Sequence, residues 1–170
     1  FLTQDFLSSY TYASKWVEVF EQQPEMISLN PVFFLKGNHY LLESLALIKY
    51  PEKFKEVLNK MVETIASDSF PNNENLDSLI FLYHFSNRFN LLFMEGDFDS
   101  ALEMVPEVVA GIDKYSNRID PHHIMVFYYK IACVYFGIGD YENCILFLNK
   151  IVDNKHLKMR EDLLCFTCVL

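Results

Sequence analysis

The sequence predicts an all-α protein built of antiparallel helix hairpins stacked in chain order as an α-solenoid of seven or eight helices. Three observations carry this. Apolar residues recur at helical spacing through almost every segment, and alternating strand patterns are nearly absent. Long helical patterns are separated by short turn signals, which makes sequential helices antiparallel neighbours. Finally, "FMEGDFDSALEMVPEV" from Phe93 and "FGIGDYENCILFLNKI" from Phe136 write one pattern twice, forty-three residues apart: apolar–x–x–Gly–Asp–aromatic–acidic–x–small.

The first helix covers roughly Thr3–Gln22 and stops before Pro24. A second opens at Asn30-Pro31, an N-cap followed by proline at the first helical position, and runs to about Lys49. A third opens at Pro51, with Phe54, Val57, Leu58, Met61 and Ile65 at helical spacing. "SDSFPNNEN" (67–75) is the longest polar break, and a fourth helix follows from about Glu74 to Met94. Asp97 opens a fifth helix, where Pro106 removes the bond to Leu102 and predicts a kink. Asp120-Pro121 opens a sixth that runs to about Ile138. A seventh then ends near Asn154, and an eighth runs from about Leu157 to Leu170.

The repeated pattern reads as the turn inside a hairpin. Gly96 and Gly139 supply a left-handed helix stop, and Asp97 and Asp140 satisfy the first free amides of the next helix. Phe98 and Tyr141 are expected to pack back on the preceding helix, with Ala101 and Cys144 small where two helices approach. A weaker copy, "YPEKFKEV" (50–57), puts Val57 forty-four residues before Ala101. A period of 43–44 with two helices per unit is a helical-repeat signature. The units are about 31–66, 74–116 and 121–154, flanked by helices 3–22 and 157–170, in a single domain of 1–170. Ends as apolar as "CFTCVL" suggest a piece of a longer chain.

Composition narrows the function classes. Hydrophobic residues make up 51% of the chain and charged residues 22%, a globular balance. Net charge is −9, divided as −3 over residues 1–70, −5 over 71–118 and −1 over 119–170. Lys and Arg form no stripe, so a phosphate backbone would be repelled over most of the surface and no nucleic-acid partner is expected. The acidity favours a basic or apolar partner. No apolar run approaches the ~20 residues of a membrane helix, so no membrane partner is expected. Cys133, Cys144, Cys165 and Cys168 each sit in an apolar helical pattern, which reads as reduced, packed thiols in a cytoplasmic protein.

With the turns in place, the residues resemble tetratricopeptide repeats (TPR), with longer helices than that family's 34-residue unit. In the third unit the family's pattern falls on Tyr128, Ile131, Ala132, Tyr135, Gly139, Tyr141, Cys144, Leu148 and Ile151. In the second it falls on Phe85, Leu92, Gly96, Phe98, Ala101, Val105 and Val108, departing at Arg88 and Phe89. The first keeps only Leu41, Ile48, Phe54, Val57, Met61 and Ile65. The resemblance implies a right-handed solenoid that binds a protein or peptide in a groove lined by the first helix of each pair. Carried over residue by residue, that groove is Tyr83, Asn90, Phe93 and Met94 with Val126, Tyr129 and Phe136. Ser86 and Cys133 fall on the same face. The family's Lys/Asn clamp for a C-terminal carboxylate is missing, since Tyr129 and Cys133 occupy two of its places. Two alternatives stand beside the open groove: the face is ordinary core, or it is covered by self-association or a further half-repeat.

Other motifs carry less. Cys165-x-x-Cys168 offers two sulfurs on one helix face, but zinc takes four ligands and the chain holds no second such pair. His122 and His123 are adjacent in a first helical turn and point about 100° apart, which suits two solvated side chains better than a shared metal. Glu103, Glu107 and Asp113 read as a solvated acidic run, and His39 and His84 as partly buried histidines. No nucleophile-elbow, phosphate-loop or His-Glu-x-x-His pattern occurs. The expectation is therefore a non-enzymatic protein- or peptide-binding scaffold without metal or cofactor. The alternative is a regulatory or sensor segment of a longer multidomain protein.

Overall fold

The computed structural model describes residues 5–153 and residue 167. Among the described residues there are eight helices and no strand. The helices are α1 (Phe6–Gln22), α2 (Glu25–Leu29), α3 (Pro31–Leu47), α4 (Pro51–Ile65), α5 (Glu74–Glu95), α6 (Phe98–Tyr115), α7 (Pro121–Gly137) and α8 (Tyr141–Val152). The chain divides into two compact units, Phe1–Glu95 and Gly96–Leu170, so that α1–α5 belong to the first and α6–α8 to the second.

In the first unit α3 is the centre. Its sequence, "PVFFLKGNHYLLESLAL", is apolar on most sides, as a helix surrounded by others must be. It packs against α1, α2, α4 and α5. Phe20 of α1 meets Phe34 edge-on at 5.7 Å, and Trp16, a turn earlier in α1, meets Tyr40 at 6.0 Å. The pairing shows α1 antiparallel to α3. Gly37 makes the approach close: a Cβ there would sit 3.0 Å from Trp16 Cδ1.

In the second unit α7 takes the central place, packed on α6 and α8. Phe147 of α8 lies between Tyr128 and Tyr135 of α7, at 6.0 and 5.7 Å. Gly137 lies against Phe98 of α6. A Cβ there would lie 2.5 Å from Phe98 Cγ, so only glycine admits the ring. Tyr141 packs back on the preceding helix, 5.9 Å from Phe136.

The turn device is as expected at Gly96 and Gly139, whose φ values are +70° and +80°. Asp97 accepts from Ser100 N at 3.0 Å and Asp140 from Asn143 N at 3.1 Å, capping α6 and α8. Unexpectedly, Lys49 adopts the same left-handed conformation, φ 55°, between α3 and α4. The residue after it, Tyr50, has ψ 77°, as do Asp97 (77°) and Asp140 (78°). The three helices that follow bury one stripe at i, i+3, i+4 and i+7. It comprises Phe54, Val57, Leu58 and Met61, then Ala101, Met104, Val105 and Val108, then Cys144, Phe147, Leu148 and Ile151.

This register corrects the sequence alignment. Phe54, not Val57, is the counterpart of Ala101 and Cys144, and the spacings between left-handed residues are forty-seven and then forty-three. Matching on a small residue misled, because α4 places a phenylalanine where the other two helices are small.

Other elements depart in detail. Between Pro24 and Asn30, where no helix was expected, α2 forms a short turn of helix. Pro24 stands at its N-cap, and Glu25 places a carboxylate in its first turn, where the helix dipole favours one. Asn30 stands at the N-cap of α3 but makes no side-chain cap bond. α6 is continuous through Pro106, which lies on its exposed side. The helix expected from Leu157 to Leu170 falls outside the described residues, save that residue 167 is helical.

Candidate functional site

The residues anticipated for a groove fall on two helices. Tyr83, Asn90, Phe93 and Met94 lie on α5, and Val126, Tyr129 and Phe136 on α7. Tyr83 is only 7% exposed and stacks on His39 of α3 at 4.5 Å. Asn90, Phe93, Met94, Val126 and Tyr129 are partly buried, with Phe93 over Phe89 at 5.9 Å. Burial pushes the Tyr129 hydroxyl up to about 12, helped by the neighbouring Cys133. Phe136, at 45%, is the one of the seven among the strongly exposed large apolar residues.

Tyr83 belongs to a polar cluster inside the first unit. Asn87, fully buried, donates Nδ2 to Tyr83 O at 2.7 Å and to His39 Nδ1 at 3.2 Å. A donor at Nδ1 makes that nitrogen the acceptor, which assigns the ring proton to Nε2. Nε2 faces Glu43 Oε1 at 3.5 Å. Among the described residues Asn87 Oδ1 finds no hydrogen-bond partner, a desolvation cost of about 1–3 kcal/mol.

A concave surface lined by aromatic side chains lies elsewhere in the first unit, between α1 and α3. It is a groove of about 310 Å³. Phe6, Tyr12 and Trp16 line it from α1, and Tyr40 and Leu47 from α3. Tyr12 is 72% exposed and Tyr40 49%, in a chain whose other aromatics are mostly packed. Trp16 sets the geometry, with its ring laid over Gly37 and flanked by Tyr40 at 6.0 Å and Phe33 at 6.3 Å. Asp5 and Glu43 also line the groove, and among the described residues no lysine or arginine does. Asp5 caps α1, accepting from Ser8 Oγ at 2.6 Å and Ser8 N at 2.9 Å; these bonds hold its carboxyl below the usual value.

Sequence reasoning treated α1 as a flanking helix and passed over this groove. The available signal was Tyr12 and Trp16 at i, i+4, beside the stripe Ala13, Val17 and Phe20 that the helix buries. What could not be read is the partner face of α3, which a residue such as Tyr40 enters only through tertiary packing.

The remaining chemistry-bearing residues sit apart. Cys133 is partly buried and Cys144 buried; both are free thiols, pushed up by burial. Cys165 and Cys168 lie outside the described residues. His122 and His123 are partly buried with rings edge to face at 4.8 Å, rather than fully solvated. Glu103, Glu107 and Asp113 are exposed on α6. Among the described residues no group of three or more His, Cys, Asp or Glu is placed to hold a metal, and no helix is long and apolar enough to cross a membrane. Compared with family models, curated proteins and solved structures, the chain finds no match.

Proposed function

We propose that this chain is a non-enzymatic, TPR-like helical-repeat scaffold that binds a protein or peptide. The observation that carries the binding reading is the groove between α1 and α3, where Tyr12, Trp16 and Tyr40 present aromatic surface at an open concave face. Exposed apolar surface gathered in a groove marks interaction sites more often than chance surface does. The repeat reading, a right-handed solenoid of hairpins, draws support from the shared turn at Lys49, Gly96 and Gly139 and from the buried stripe that follows each. A cytoplasmic setting suits the free, packed thiols Cys133 and Cys144.

The test is selection of a random dodecapeptide display library on the immobilised chain, against a Tyr12→Ser/Tyr40→Ser double variant. Tyr12 is largely exposed and Tyr40 half exposed, so the variant should keep its helicity and melt within a few degrees of the parent. Peptides retained by the parent and lost by the variant are the expected result. A selection that yields no such peptide rejects the groove as a binding site.

A further inference from the structure

We propose that the groove between α1 and α3 takes a basic segment of another protein, an arginine-bearing stretch with aliphatic neighbours. This rests on the binding reading above and adds the chemistry of the partner. The groove pairs two features that together select a cation. Its walls are aromatic faces, with Trp16 and Tyr40 tilted 47° to one another at 6.0 Å. A guanidinium stacks on such faces, and tryptophan is the best of them. Its charged lining residues are Asp5 and Glu43, and among the described residues no lysine or arginine lines it. The serine bonds at the α1 cap favour the ionised form of Asp5, so that end of the groove remains negative at neutral pH.

Size fits a segment rather than a free ion. From Asp5 to Trp16 the groove follows three turns of α1, about 16 Å at ~1.5 Å per residue. Five extended residues span that length at ~3.3 Å each. Phe6, Tyr12 and Leu47 leave apolar surface for aliphatic neighbours of the arginine.

The other occupants fit less well. A second copy would bring a net charge of −9 against the same charge, and its basic residues form no stripe. An anionic lipid surface would meet Asp5 and Glu43.

Trp16 is the chain's single tryptophan, so its emission reports the groove directly. The groove-dependent dodecapeptides should be enriched in arginine or lysine beside leucine, isoleucine or valine. One such peptide, synthesised with arginine and again with citrulline in its place, is titrated against the full chain while Trp16 emission is followed. Citrulline keeps the shape and removes the charge. The expected result is saturable change with the arginine peptide and roughly tenfold weaker binding with citrulline. Glu43→Gln should narrow the gap between the two peptides. Groove-dependent peptides that are neutral or acidic, or equal binding of the two synthetic peptides, overturn the basic partner and leave the binding reading standing. Dimerisation that is lost in the Tyr12→Ser/Tyr40→Ser variant, or Trp16 emission that shifts with phosphatidylserine vesicles and not with the arginine peptide, also overturns it. Absence of any groove-dependent peptide removes both.

Discussion

The turn between α3 and α4 and the turn between α7 and α8 have the same backbone and different residues. In the first, Lys49 is left-handed at φ 55° and Tyr50 amide reaches Leu45 O at 3.0 Å. In the second, Gly139 is left-handed at φ 80° and Asp140 amide reaches Tyr135 O at 2.9 Å. Both are six-to-one helix stops. Yet one is written Leu-Ile-Lys-Tyr and the other Gly-Ile-Gly-Asp. Geometry is kept where packing demands it, and the residues that make it cheap are present in one case only. The first turn carries backbone strain that the second avoids, and it lacks the carboxylate cap that the second has.

The largest expected difference lies two residues before the left-handed position, at Leu47 and Gly137. Leu47 is half exposed and lines the α1–α3 groove, whereas Gly137 receives the Phe98 ring. Making the third turn like the first with Gly137→Leu inserts a side chain where a Cβ alone would already lie 2.5 Å from Phe98 Cγ. Overpacking of this kind costs about 3 kcal/mol. Urea unfolding that shows less than ~1 kcal/mol lost would mean that α6 can move away from α7 freely.

Exchanging the left-handed residues gives a smaller and opposite pair of effects. No heavy atom lies within 4 Å of a Cβ built on Gly139, so Gly139→Lys loses only backbone comfort, about 1 kcal/mol. Lys49→Gly removes the same strain from the first turn and should stabilise by about 1 kcal/mol, less the added freedom of glycine in the unfolded chain. Two losses, rather than a loss and a gain, would show that the Lys49 side chain contributes more than its backbone costs.

The same comparison explains what the sequence disclosed. The all-helical class and the helix stops at Gly96 and Gly139 were legible because helical periodicity and the Gly–Asp stop are local signals, each complete within a few residues. The turn at Lys49 was not legible as a left-handed stop, since nothing in "IKYP" announces a positive φ. Gly137 was passed over beside Gly139 because a glycine kept for space looks like one kept for conformation until the Phe98 ring is in view. The groove is the extreme case. Trp16 and Tyr40 are twenty-four residues apart, and Asn87 and His39 forty-eight, so their meeting depends on which helices pair. Tyr83 shows the converse: a position on the expected face turned inward because α5 packs on α3.

The smallest difference between the two turns is the cap, and it carries a pH signature. Asp140 accepts from Asn143 Nδ2 at 2.7 Å and Asn143 N at 3.1 Å, and these bonds, the side-chain one first, draw its carboxyl below the usual value. A group whose folded pKa is depressed contributes stability that is present above its unfolded value, ~3.9, and is lost as pH falls through the lower folded value. Tyr50 occupies the matching position with no side-chain cap bond, although its φ of −113° and ψ of 77° resemble those of Asp140 at −87° and 78°. Tyr50→Asp should therefore supply the missing acceptor for the free amides that open α4 and raise the melting temperature at pH 7 by a few degrees. Because the gain comes from a carboxylate, it should shrink at pH 3. Asp140→Ala should lower the melting temperature at pH 7, and its deficit should shrink at pH 3 in the same way. An equal gain from Tyr50→Asp at both pH values would show that relief of the exposed tyrosine, rather than a new cap, is responsible. No gain at pH 7 would show that the Tyr50 turn, for all its likeness to the Asp140 turn, does not aim a side chain at the amides of the following helix.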